Sequence, residues 1–133
     1  MDKKFQKVAV KAFIVKDNKV LLLQGGGRGW WELAGGKIEY GENPREALAR
    51  ELQEELSVDN ISIGEIIEAR SRINDIGEPL HMVFIIYRCT MTDNEFKISD
   101  EHVDWKWASV EEVKELPMWE GYREVILENM TGK

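Results

Sequence analysis

Residues 44–56, Pro-Arg-Glu-Ala-Leu-Ala-Arg-Glu-Leu-Gln-Glu-Glu-Leu, constrain this chain more than any other stretch. Asn43 can cap a helix, Pro44 suits the first helical position, and Glu46 completes a capping-box arrangement with Asn43. Leu48, Leu52 and Leu56 recur every fourth residue, so one stripe of this helix must be buried. Glu51, Glu54 and Glu55 stand at i, i+3 and i+4, within an arc of about 100° that lies about 110° round from the leucine stripe. Like charges this close destabilise a helix. A solvated acidic face is the plain explanation; a hard divalent cation with oxygen ligands is the chemical one. Either way the helix is a rigid support for carboxylates.

Around that helix the pattern is strands with helices between them. Residues 5–15 and 20–23 read as strands joined at Asp17-Asn18. Gly25-Gly26-Gly27-Arg28-Gly29 reads as a hairpin connection or, less simply, a phosphate cradle. Trp30 to Leu33 re-enters the body ahead of Gly35-Gly36. Further strands are expected near 60–73 and 80–90, joined by a turn at 75–79, and at 102–108. Helices are expected at 109–116 and 119–129, broken at Pro117. The class is therefore α+β, a mixed and largely antiparallel sheet packed between helices, and residues 1–133 are expected to be one domain.

Charge narrows the partners. Twenty-five acidic residues against 18 basic ones give a net charge of −7, which disfavours coating a nucleic-acid polymer. A phosphorylated small molecule remains compatible if metal ions invert the local field. Cys89 is the lone cysteine, so no internal disulfide is available and a cytoplasmic location is expected. No apolar run approaches the ~20 residues of a membrane span. Monomer and homodimer are both open.

The stretch from Gly36 to Val58 resembles the Nudix box, Gly-x5-Glu-x7-Arg-Glu-U-x-Glu-Glu-x-Gly-U with U bulky and aliphatic. Gly36, Glu42, Arg50, Glu51, Leu52, Glu54, Glu55 and Val58 meet it, and Ser57 replaces the last glycine. The resemblance, to hydrolases of the MutT-like type, implies an α/β/α sandwich. It also implies hydrolysis of a nucleoside diphosphate linked to another group, with Mg2+ or Mn2+ as cofactor. By the same resemblance Glu51, Glu54 and Glu55 are the expected metal ligands, with the carbonyl of Gly35 or Gly36 as a further one. Glu42 and Arg50 are an expected orienting pair that holds Glu51. The general base is in the box, at Glu54 or Glu55, or on the later loop, where Glu101 is placed ahead of Asp100. Many relatives carry proline where Ala34 stands.

Arg28 and Lys37 flank the glycine loops and are the favoured phosphate contacts, ahead of Arg70 and Arg72. Of Trp30 and Trp31, one is expected to face the core and Trp30 to stack on a base. Trp105 and Trp107, two apart, share a sheet face as core or interface. His81 and His102 lack metal-ligand spacing and read as ordinary strand residues. Cys89 has no recognisable base partner and is not expected to be a nucleophile. A nucleoside triphosphate, oxidised or not, is the favoured substrate, cleaved to the monophosphate and pyrophosphate. ADP-ribose, dinucleoside polyphosphates and nucleotide sugars are alternatives, as is a nucleotide sensor without turnover. An isomerase of allylic diphosphates would need additional cysteine and glutamate machinery on a longer chain.

Overall fold

The computed structural model describes residues 5–27, 29–74, 79–92 and 95–131. Its elements run β1 (Phe5–Lys16), β2 (Lys19–Gly25), β3 (Trp31–Glu32), β4 (Ala34–Lys37), α1 (Pro44–Leu56), β5 (Ile61–Asn74), β6 (Leu80–Met91), β7 (His102–Ala108), α2 (Val110–Glu115) and α3 (Glu120–Thr131). The turn expected at 75–79 lies, but for Pro79, outside the described residues, as does Arg28.

β1 organises the sheet. One edge of it runs parallel to β6, from Phe5 opposite Leu80 to Ile14 opposite Cys89. The other edge pairs antiparallel first with β4, over Ala9 to Ala12, and then with β2 at Val15 and Lys16. β5 lies antiparallel beyond β6, and β2 also carries β3 and β7. The sheet is thus mixed, with β1–β6 the parallel pairing between its strands.

Alternation along β1 sends successive side chains to opposite faces. Ala9 and Phe13 join a core cluster with Val113 of α2 and Tyr122, Val125 and Ile126 of α3. Val10, Ala12 and Ile14 join a second cluster with Ala47, Leu48, Leu52 and Leu56 of α1. Helices therefore cover both faces, as expected of an α/β/α sandwich. Lys11 shares the α3-side face with Ala9 and Phe13 and is only 5% exposed, a charge inside the otherwise apolar run 8–15 of β1.

β4 is the element that composition hides, since glycine is depleted in strands. Gly35 pairs with Lys11 and Gly36 with Val10. Gly35 has φ +136°, and a Cβ there would collide with the Val10 carbonyl oxygen. The close backbone approach, not flexibility, requires glycine.

At the end of α1, Ser57 takes the left-handed conformation, φ 57° and ψ 37°, and its N–H donates to the Gln53 carbonyl at 3.0 Å. The glycine-rich stretch after β2 is a hairpin connection, closed by Gly25 N donating to Trp30 O at 3.0 Å. Trp31 is buried and Trp30 is 42% exposed, as alternation requires. Trp105 and Trp107 both pack edge-on against Phe96, with centroids 4.7 and 6.5 Å away. No helix among the described residues is long and apolar enough to cross a membrane.

Candidate active site

With its leucine stripe seated on the sheet, α1 points the neighbouring acidic arc at the β4 strand and the loop that follows it. Two polar networks meet there.

The first is centred on Arg50. Its Nε and Nη2 grip the Glu42 carboxylate in a bidentate pair, at 2.7 and 3.0 Å. Nη1 donates to Glu51 at 2.9 Å and lies 3.4 Å from both Glu54 oxygens, while Nη2 also reaches the Lys37 carbonyl at 3.1 Å. One planar guanidinium thus binds the loop, two glutamates of the arc and the end of β4. The like-charge repulsion within α1 is partly met by this cation. Glu51 packs so closely on Gly36 that a Cβ at residue 36 would overlap its carboxylate.

The second network is buried. Lys11 Nζ donates to Glu32 at 3.3 Å, to the Leu33 carbonyl at 3.1 Å and to the Gly35 carbonyl at 3.4 Å. Glu55, only 4% exposed, accepts a 2.7 Å bond from Gly35 N. His102 Nε2 lies 3.0 Å from Glu32 and 4.0 Å from Glu55, and its buried Nδ1 has no partner among the described residues.

Burial pushes the Glu55 carboxyl up to about 7, against the opposing pull of Lys11 and the Gly35 amide. Burial acts the same way on Glu32, but there the Lys11 ammonium and the His102 contact prevail and hold it down at about 2. The hydrogen bond to Glu32 raises His102. Lys11 stays charged because the attraction of Glu32 and Glu55 and the hydrogen bond to Glu32 oppose its desolvation. Two carboxylates 23 residues apart in sequence therefore shift in opposite directions: burial prevails at Glu55, and the Lys11 and His102 contacts prevail at Glu32.

A cavity of about 340 Å3 opens beside this network. Lys11, Glu32, Glu55, Glu101 and His102 line its polar end; Leu80, Met82 and Phe84 line its apolar end. Lys37 lies on its wall and also on that of a neighbouring groove bounded by Glu42 and Glu51. Glu101 is exposed on the turn before β7 and reaches the cavity wall. Trp30 lies outside that wall, at the β2–β3 turn.

Among the described residues no three acidic, histidine or cysteine side chains converge into a ready-made metal cage. Arg50 engages Glu51 and Glu54, and Glu55 is turned to Gly35. The donor chemistry nevertheless suits a hard divalent cation, with three carboxylates and the Gly35 and Gly36 carbonyls within one corner of the fold. Of the residues singled out from sequence, Glu42, Arg50, Glu51 and Glu54 meet at Arg50, and Gly35, Gly36, Lys37, Glu55 and Glu101 meet at the cavity. Lys11 and Glu32 were not singled out, and His102 is more than an ordinary strand residue. A charged residue midway along the otherwise apolar run 8–15 of β1 was the available signal for Lys11. His81 instead contacts Gln6 at 3.2 Å, and Cys89 is a buried thiol pushed up to about 12 by desolvation.

The NUDIX domain family model matches residues 5–128. The nucleoside triphosphatase NudI of Escherichia coli O139:H28 (strain E24377A / ETEC) is 32% identical over 93 residues, 64% of this chain and 65% of that protein. The chain thus spans about 65% of the length of the curated relatives it matches. Among solved structures, the MutT protein from Methanosarcina mazei Go1 superposes with a TM-score of 0.81 at 24% identity, covering 100% of both chains. The MutT NUDIX hydrolase from Burkholderia pseudomallei gives 0.76 at 26% identity, over 91% of this chain and 95% of the other. A box that departs from its pattern at one position, a sheet between helices and a match to nearly the whole chain agree: this protein belongs to the Nudix domain family.

Proposed function

We propose that this chain is a Nudix hydrolase that cleaves a nucleoside triphosphate to the monophosphate and pyrophosphate with Mg2+ or Mn2+. The observation that carries the reading is the Arg50 clamp on Glu42, Glu51 and Glu54 beside the Gly35–Gly36 strand, in a chain of this family. The similarity to a nucleoside triphosphatase supports the substrate class.

Glu51, Glu54 and Glu55, with the carbonyl of Gly35 or Gly36, would hold the divalent ion. When bound, the ion supplies positive charge against the phosphate oxygens and lowers the pKa of water. Arg50 keeps two of the carboxylates in position, a task for which its planar fork is suited. Lys37 meets phosphate oxygens from the cavity wall, and Arg28 is assigned to them from sequence alone. A glutamate takes the proton from the attacking water: Glu54 or Glu55 in the helix, or Glu101 on the turn before β7.

The test is a panel of nucleoside triphosphates, ADP-ribose, dinucleoside polyphosphates and nucleotide sugars, with Mg2+ and with Mn2+. Phosphate is measured with and without added inorganic pyrophosphatase. Triphosphates are expected to yield phosphate only when pyrophosphatase is present. Silence from every triphosphate with both metals, or phosphate released without pyrophosphatase, overturns the assignment.

A further inference from the structure

The apolar end of the cavity holds one arginine unlike the others among the described residues. Arg45, Arg50, Arg70, Arg88 and Arg123 each donate to a protein oxygen. Arg72, which is exposed, donates to none among the described residues. Its guanidinium instead sits over two rings, 4.8 Å from the Trp119 centroid and 5.3 Å from that of Phe84. Those rings pack on each other at 5.1 Å, and Tyr122 meets both edge-on. Stacking holds the planar fork while leaving its N–H edge without an acceptor among the described residues.

Strand register says what lies beside it. Arg72 is opposite Met82, Met82 is opposite Lys7, and Phe84 is opposite Ala9. Directly opposed residues share a sheet face, so Met82, Phe84 and the small Ala9 make an apolar floor next to the guanidinium. All of these but Lys7 line the cavity, as does Leu80. From Gly35 on β4 to Arg72 on β5 the path crosses β1 and β6, a width of about 14 Å at ordinary strand spacing. Arg72 therefore serves a part of the ligand remote from the bond that is cleaved.

Resting on the nucleotide-hydrolase reading above, we propose that Arg72 is the residue that selects the nucleobase, taking bases that present two adjacent hydrogen-bond acceptors. Guanine offers O6 and N7, and cytosine offers O2 and N3. Adenine alternates acceptor with amino donor, and in uracil and thymine a ring N–H separates the two carbonyls, so neither matches a fork that only donates. The base lies on the β1–β6 floor rather than on Trp30, which stands outside this wall.

The test is kcat/KM for GTP, CTP, ATP and UTP with the wild type, Arg72→Lys and Arg72→Gln, each checked for an unchanged melting curve. The wild type is expected to favour GTP or CTP over ATP and UTP by roughly tenfold or more, the size of one bidentate base contact. Both variants are expected to lose that preference through KM, the lysine included, because a point charge lacks the fork. An equal loss on all four bases, or a wild type indifferent to base, overturns the proposal. Binding of GMP, CMP, AMP and UMP, followed by tryptophan fluorescence in EDTA, separates it from the hydrolase reading. GMP or CMP binding that is lost in both variants supports Arg72 even if no triphosphate is hydrolysed. Hydrolysis with no discrimination in either assay supports the hydrolase and overturns Arg72.

Discussion

Glu55 belongs to the acidic arc of α1 yet turns inward to accept the Gly35 amide at 2.7 Å. The Gly35 carbonyl meanwhile accepts from the buried Lys11. One glycine residue of β4 thus joins a helix carboxylate to a strand ammonium.

That linkage depends on backbone no other residue can supply. Gly35→Ala would place a Cβ against the Val10 carbonyl at a φ of +136°. Overpacking and strained dihedrals together cost about 2–5 kcal/mol. A urea denaturation midpoint equal to that of the wild type would show that β4 can move away from β1 without loss. Gly36→Ala is a sharper functional probe, since its Cβ meets the Glu51 carboxylate and would displace it.

The pH dependence of the metal-free protein follows from Glu55. Its folded-state value of about 7 is raised above the ordinary carboxylate value by burial. Its contribution to stability is therefore full below about pH 4.5 and is lost as pH rises to about 7, to the extent of up to about 3 kcal/mol. Glu32 has the opposite sign: held at about 2, it stabilises above about pH 4.5 and ceases to as pH falls toward 2. Glu55→Gln, whose amide oxygen can still accept from Gly35, is expected to raise the melting temperature at pH 8 and leave it unchanged at pH 4. Melting curves of the two proteins that run parallel from pH 4 to pH 8 would contradict the burial argument.

Ser57 tests the helix end. It holds the left-handed conformation that glycine adopts without a Cβ penalty. Ser57→Gly is expected to be neutral or stabilising by up to ~1 kcal/mol, the relief of strain being offset by the greater freedom of glycine in the unfolded chain. A clear loss of stability in chemical denaturation would mean that the serine side chain contributes more than its backbone strain costs.

The helix α1 and its caps were legible because every signal lies within about four residues of its partner, and the box was legible because the spacing from Gly36 to Val58 resembles a known pattern. The Trp30–Trp31 alternation was legible for the same reason. The buried network was not, since Lys11, Glu32, Glu55 and His102 come from four separate parts of the chain and meet only when β1, β3, α1 and β7 pack. β4 escaped notice because its glycines signal a loop by propensity, whereas tertiary approach to β1 makes them a strand. Arg72 looked like one of several surface cations. Its distinction is the absence of an oxygen partner among the described residues, which no pattern within β5 reveals.

The mechanism stands or falls on whether the acidic arc binds metal. Replacing Glu54 or Glu55 by Gln keeps size and most of the helix propensity while removing one charge. If the arc binds no metal, removal of one charge leaves turnover intact, whatever it does to stability. If it holds the ion, turnover falls by orders of magnitude, because charge neutralisation and water activation disappear together. The rise in melting temperature caused by millimolar Mg2+ or Mn2+ is expected to shrink in the same variants, since a ligand stabilises by mass action on the folded state. Glu46→Gln is the control: Glu46 sits on the same helix and its oxygen caps Asn43 N at 3.0 Å, a bond that glutamine can keep. Glu101→Gln then locates the base, and a large rate loss with the metal-induced melting shift retained would place it on the turn before β7. Wild-type turnover in both Glu54→Gln and Glu55→Gln would remove the metal-assisted hydrolysis proposed for this chain.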